Sequence, residues 1–148
     1  MNIKDIKNNI SKDFDLKKKL WIVLTWIGNE KIESEKWIIF TDNSLEDNIN
    51  QLFDKYIKRN KNIKILVIDI IKNTKEIKTK EELQNIDILK EWIFIWDIKN
   101  DNWSFILPDT KWVDSLKKAI SLIKKKVEFS STKINLYKFT SKRYAYKI

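Results

Sequence analysis

A chain of 148 residues, 43% hydrophobic and 34% charged, suits one compact domain and is too apolar for a disordered one. The lack of cysteine and histidine excludes disulfides, thiol nucleophiles, serine–histidine triads and ordinary zinc centres, so no cofactor or metal is expected. The net charge of +9 is nearly all lysine, with arginine only at Arg59 and Arg143. That balance follows an AT-rich codon bias toward Lys, Ile and Asn better than it follows phosphate or base recognition, for which arginine is the suited residue.

Residues 3–18 form a polar helical lead-in, with Ile3, Ile6, Ile10 and Phe14 near helical spacing. It has no continuous apolar core of the signal-peptide kind, and no later run approaches the about 20 apolar residues of a membrane helix. A cytoplasmic location is the expectation. Residues 20–26 read as a strand ending in a turn at Gly28-Asn29, and 36–41 as a second strand entered through a polar loop, Glu33-Ser34-Glu35. Ser44 and Asp47 then open a helix over 45–59, whose apolar face is Leu45, Ile49, Leu52, Phe53, Tyr56 and Ile57. Its Asp54, Lys55 and Lys58 should be solvated.

The β-branched run 63–72 predicts a central strand covered on both faces. Thr79 and Glu82 cap a short helix to about 86. Strands 92–98 and 103–107 pair as a hairpin across Asn100-Asp101-Asn102, with Trp103 at or beside the turn and Pro108 ending the second strand. A helix over 113–126 turns Val113, Leu116, Ala119, Ile120, Ile123 and Val127 inward. Ser130-Ser131-Thr132 is a polar loop before a last strand at 133–141, which the tail 144–148 extends. Too few βαβ units are present for a doubly wound sheet. The expected fold is α+β, a mainly antiparallel sheet with helices packed on it.

Glycine and tryptophan are out of proportion. Average usage of about 7% glycine would put roughly ten in this chain; it has one, Gly28, beside seven tryptophans. In the hairpin, a turn needing positive φ sits beside Trp103, where glycine would be unstrained and tryptophan is not. The expectation is that the gene uses UGA for glycine and that these positions are read as tryptophan.

Catalytic groups are sparse. Replacing the tryptophans of 21–28 by glycine produces a spacing like a phosphate loop, but no Lys-Ser/Thr follows and the segment is itself a strand. Asp69, inside an apolar run, is either a functional acid or, the favoured reading, a residue that lies near a strand end or pairs with a neighbouring lysine. The runs Lys17-Lys18-Lys19 and Lys124-Lys125-Lys126 read as solvated helix ends.

Several motifs resemble the AMMECR-type (AMME chromosomal region) family, whose bacterial and archaeal members include protein A of the AmmeMemoRadiSam system. Leu20-Trp21-Ile22-Val23-Leu24-Thr25 is similar to the family's Arg-Gly-x-Phe-Val-Thr strand, with Trp21 on the glycine and Thr25 on the threonine. Glu91-Trp92-Ile93-Phe94-Ile95 resembles Asp-Gly-Leu-Ile-Val, with Trp92 on the glycine. Phe105-Ile106-Leu107-Pro108 followed by Lys111-Trp112-Val113-Asp114 resembles Leu-Leu-Leu-Pro then Gly-Trp-Asp, matching Pro108, Trp112 on the glycine and Asp114. Ile65–Ile71 followed by Glu76-Ile77 resembles the segment ending in a Pro-Glu-Pro-Ile-like turn. The resemblance covers about 19–146 and implies a single domain over 1–148, with two packed lobes. The hallmark Leu-Arg-Gly-Cys-Ile-Gly is replaced here by Ile32-Glu33-Ser34-Glu35-Lys36-Trp37-Ile38, which lacks Arg and Cys.

The resemblance therefore implies an accessory or binding module with a degraded hallmark, acting with Memo-type and radical-SAM proteins. The alternatives are an enzyme with a carboxylate/Thr-based cleft near Thr25, Glu33 and Asp114, or a basic RNA-binding domain, and nucleic acid is the less favoured partner. Under the module reading, Glu33–Lys36 should be an exposed loop with both glutamates solvated. A glutamate enclosed beside Thr25 would instead favour the enzyme.

Overall fold

The computed structural model describes residues 2–29, 31–126 and 134–148. Its elements run α1 (Ile3–Ile10), β1 (Ile22–Gly28), β2 (Lys31–Ile38), α2 (Leu45–Leu52) with a wider π turn over Phe53–Ile57, β3 (Ile65–Ile77), α3 (Lys80–Gln84), β4 (Trp92–Asp97), β5 (Asn102–Ile106), α4 (Leu116–Lys126) and β6 (Asn135–Lys147). The fold is α+β, as expected. The strands are ordered β2-β1-β3-β6-β4-β5. β1 pairs antiparallel with β2 and β3, and β4 does so with β5 and β6. Ser130-Ser131-Thr132, Lys133 and Val127 lie outside the described residues.

The chain forms two compact units, one of residues 1–72 and 141–148, the other of 73–140. In the first, α1 and α2 supply Ile6, Ile10, Leu45, Ile49 and Leu52 to a core with Ile22, Leu24, Leu66, Ile68 and Ile70. The strand residues alternate, so each strand gives one face to this core. Over α2 the face matches the 3.6-residue period, with Leu45, Ile49 and Leu52 buried. The expected α-helix to 59 then gives way to the π turn, in which Ile57 is buried and Phe53 and Tyr56 are half-buried, while Asp54, Lys55 and Lys58 are exposed as expected. Asn48 is buried as well, donating from Nδ2 to the Leu20 carbonyl (3.2 Å) and accepting at Oδ1 from Thr41 (3.4 Å). In the second unit, Ile93, Ile95 and Ile106 of the hairpin pack with Ile86 and with Ala119 and Ile123 of α4. Thr79 and Glu82 make the full reciprocal capping box at α3.

Four expectations are corrected. The lead-in helix stops at Ile10, and Phe14 and Leu16 reach the core from irregular chain. Consequently Lys17, Lys18 and Lys19 are exposed but lie at no helix end. Glu33-Ser34-Glu35 is not a loop: β2 begins at Lys31 and pairs Thr25 with Glu35 and Trp26 with Ser34. A strand at the end of the sheet can carry charged residues along its length, which conceals it from a hydrophobic-run reading. Helix α4 starts at Leu116, so Val113 precedes it, and Leu116 and Ile120 are half-buried rather than central.

Gly28 is required by closeness rather than by its φ. A Cβ there would lie 2.7 Å from the Asn62 carbonyl oxygen and collide with the Glu33 carboxylate. The left-handed residue of the β1–β2 connection is Asn29, at φ 46°. β6 is one continuous strand through both its expected pieces. Near its end Tyr144 donates to Asp13 (2.7 Å) and Lys142 pairs with Asp13 (2.6 Å). Lys142 first and Tyr144 second hold the Asp13 carboxyl below its usual range. A depressed carboxyl stabilises the fold above its unfolded-state pKa, and that contribution is lost as the pH falls through the folded value.

Candidate functional site

In the first unit, the face of the sheet opposite the core carries a polar network. Val23 and Thr25 alternate with the core residues of β1, and the register sets Thr25 opposite Glu35 and Val23 opposite both Trp37 and Asp69. On β6, Tyr144 joins the core, so its neighbours Ser141 and Arg143 fall on the opposite side. Thr25 Oγ1 donates to Glu35 Oε2 at 3.4 Å, and Trp37 Nε1 donates to Glu35 Oε1 at 2.6 Å. Arg143 grips Asp69 with two bonds, Nε to Oδ1 at 2.9 Å and Nη2 to Oδ2 at 2.8 Å, and Ser141 Oγ reaches Oδ1 at 3.5 Å.

The electrostatics are asymmetric. The Asp69 side chain is 2% exposed and that of Arg143 is 55% exposed, so a buried carboxylate anchors a cation that still meets solvent. The hydrogen bond to Asp69, and then the charges of Asp69 and Glu35, raise the Arg143 pKa against the opposing effect of burial. A threonine hydroxyl beside a carboxylate is the donor–base pair that nucleophilic chemistry needs. Here the hydroxyl belongs to a residue only 8% exposed and its bond is long, which suits a structural network better than a ready nucleophile.

The expected site residues divide between the two units. Thr25 meets Glu35 rather than Glu33, which is exposed on β2 beside Gly28. Asp114 belongs to the second unit, exposed and paired with Lys118 at 2.8 Å, which lowers its pKa by hydrogen bond and then by charge. It lines an open groove of about 690 Å³ with Trp112, Asp87 and Asp109. Glu35 is hydrogen-bonded beside Thr25 but half-buried rather than enclosed, so the expectation of two solvated glutamates fails for it and holds for Glu33, and the condition set for the enzyme is met only in part. Asp69 has an arginine partner, not a lysine. Arg143 was the overlooked residue, and its signal was its rarity: one of two arginines among 30 basic residues, two positions from Ser141 on a strand.

The other motif positions fall as follows. Trp21 precedes β1, half-buried, with its ring 4.4 Å from Phe40. Trp92 opens β4 and is 2% exposed, between Phe139 (5.6 Å) and Phe105 (6.0 Å). Pro108 follows β5, as expected of a residue that cannot continue the ladder. The hairpin forms with Trp103 on β5 beside the turn, but the left-handed residue is Asp101, at φ 49°. The turn argument for glycine at Trp103 therefore fails. It reappears at Trp112, which has φ 71° and is 84% exposed.

No family model matches the chain, and no curated protein matches it in sequence. Among solved structures it is similar to the uncharacterised protein PH0010 from Pyrococcus horikoshii, with a TM-score of 0.65 and 13% identity over 90% of this chain and 78% of that one. At that identity the likeness is one of fold. Among the described residues no helix is long and apolar enough to cross a membrane.

Proposed function

We propose that this chain is an AMMECR-type accessory or binding module that works with Memo-type and radical-SAM proteins, its hallmark segment replaced by the charged strand β2. The observation that carries the reading is Trp112. It holds a left-handed backbone at the position where the resemblance to Gly-Trp-Asp calls for glycine. Further support comes from Pro108, two residues past the end of β5, and from Thr25 within β1. Size-exclusion chromatography of the chain mixed with Memo-type and radical-SAM proteins from the same genome tests the reading. A co-eluting complex with at least one of them is expected; three independent peaks at micromolar concentrations would remove the partner assignment.

The same residue supports the proposal that UGA-encoded glycines are read here as tryptophan. A bulky side chain at φ 71° costs about 1–2 kcal/mol relative to an unstrained backbone, and the exposed Trp112 ring recovers little by burial. Trp112→Gly should therefore stabilise the protein by about 1 kcal/mol in urea unfolding. Trp26 and Trp92 weigh against recoding at every position, because both are buried and glycine would leave their cores short of a large ring. Peptide mass spectrometry of the protein from its natural source reads each position directly, and tryptophan at residue 112 would end the idea.

The Thr25–Glu35 pair favours a second reading, an enzyme with a threonine nucleophile. Its test is incubation with an acylating or phosphonylating probe. Modification of Thr25 that disappears in Glu35→Gln would place the enzyme ahead of the module.

A further inference from the structure

In the second unit, a groove of about 610 Å³ runs beside the outer side of α4. Leu83, Leu116 and Ile120 supply its apolar surface, and Lys117, Lys124 and Lys125 stand around it, with no carboxylate among the described residues of the lining. The α4 segment itself, Leu-Lys-Lys-Ala-Ile-Ser-Leu-Ile-Lys-Lys-Lys, contains five lysines and no acidic residue. Its Ala119 and Ile123 face the core of the unit, which leaves Leu116 and Ile120 half-buried at the groove.

We infer that this groove docks an acidic amphipathic helix of a partner protein, its apolar side chains set on Leu83, Leu116 and Ile120 and its Asp and Glu residues against the three lysines. The shape and the charge each select the occupant. An amphipathic helix presents apolar anchors at i, i+3/i+4 and i+7, the pattern that a hydrophobic groove accepts. Flanking carboxylates then meet lysines, the charged groups among the described lining residues, which speeds encounter and sets orientation. Single-stranded RNA would use arginine and exposed aromatic rings to grip phosphate and stack bases, and the described residues of the lining include neither. A membrane surface is engaged by apolar side chains that project, whereas these line a concavity. The inference deepens the binding-module reading and rests on it only in requiring a protein partner. It can fail while Memo-type co-elution succeeds, and the reverse.

The test is fluorescence anisotropy on the full chain. The probe is a labelled peptide of about 15 residues, Glu-rich with leucines at helical i, i+3/i+4 and i+7 spacing. A scrambled peptide of the same composition, a single-stranded RNA and phosphatidylserine vesicles are the comparison arms. Saturable binding of the patterned peptide is expected, at least about tenfold tighter than the scrambled one. Raising salt from about 0.1 to 0.5 M should weaken it several-fold, because the lysines are solvent-exposed. The triple variant Lys117→Glu/Lys124→Glu/Lys125→Glu should weaken it by more than about tenfold. All three positions are exposed, so this variant should keep the wild-type melting curve, whereas Ile120→Asn tests the apolar surface at some risk to the fold. No saturable binding, equal binding of the scrambled peptide, an unaffected triple variant, or tighter binding of RNA or vesicles would each overturn the proposal.

Discussion

Phe94→Ala should be the most damaging single truncation among the two argued below, with an expected loss of about 3–5 kcal/mol. Phe94 is 0% exposed in the middle of β4. It lies opposite Phe105 on β5 and Tyr137 on β6, with its ring 5.7 Å from that of Trp103 and 6.0 Å from that of Tyr137. Paired strands on both sides restrain collapse into the void, so the cavity cost adds to the lost transfer energy. A domain of this size has about 5–15 kcal/mol in total, so the loss is a large fraction of its stability. Urea unfolding monitored by circular dichroism measures it. A loss below about 1 kcal/mol would mean that the aromatic layer of the second unit is not packed as described.

Arg143→Met should cost about 3 kcal/mol, because among the described residues it leaves the buried Asp69 carboxylate with only the 3.5 Å contact from Ser141. The figure sits at the low end for a broken buried pair because the arginine itself is half-exposed and partly screened by solvent. The informative comparison is the double variant Asp69→Leu/Arg143→Met. Removing both charges abolishes the stranded carboxylate, so the double variant should be more stable than Arg143→Met alone. If the two single variants simply added, the bidentate pairing would carry no coupling and the network around Thr25, Glu35 and Asp69 would lose its anchor.

These two residues also differ in how they could be anticipated. Phe94 lies in a five-residue apolar run, which makes a strand legible, yet the alternation that buries Ile93 and Ile95 on one side and Phe94 on the other depends on the partners β5 and β6. Arg143 stands on β6, 74 positions from Asp69. No local period links such residues. Their meeting is a consequence of which strands are neighbours.

Local chemistry determined much of this protein. The 3.6-residue spacing of Leu45, Ile49 and Leu52, the Thr79–Glu82 capping box, the hairpin across Asn100-Asp101-Asn102 and the stop at Pro108 all follow from interactions within a few residues, and each is found. So does the α+β class, through the scarcity of βαβ units. Tertiary structure alone decided the rest. It drew the polar segment Glu33-Ser34-Glu35 into a strand, because hydrogen bonds to β1 outweigh the weak strand preference of charged residues. It chose Glu35 over Glu33 as the partner of Thr25, because in a ladder the register, and not the distance along the chain, selects which side chains face each other. It moved the left-handed positions to Asp101 and Trp112, because φ is set by how the chain must turn between packed elements. Burial of Asp69 likewise required a cation from a distant strand, since an unpaired carboxylate there would be too costly to keep.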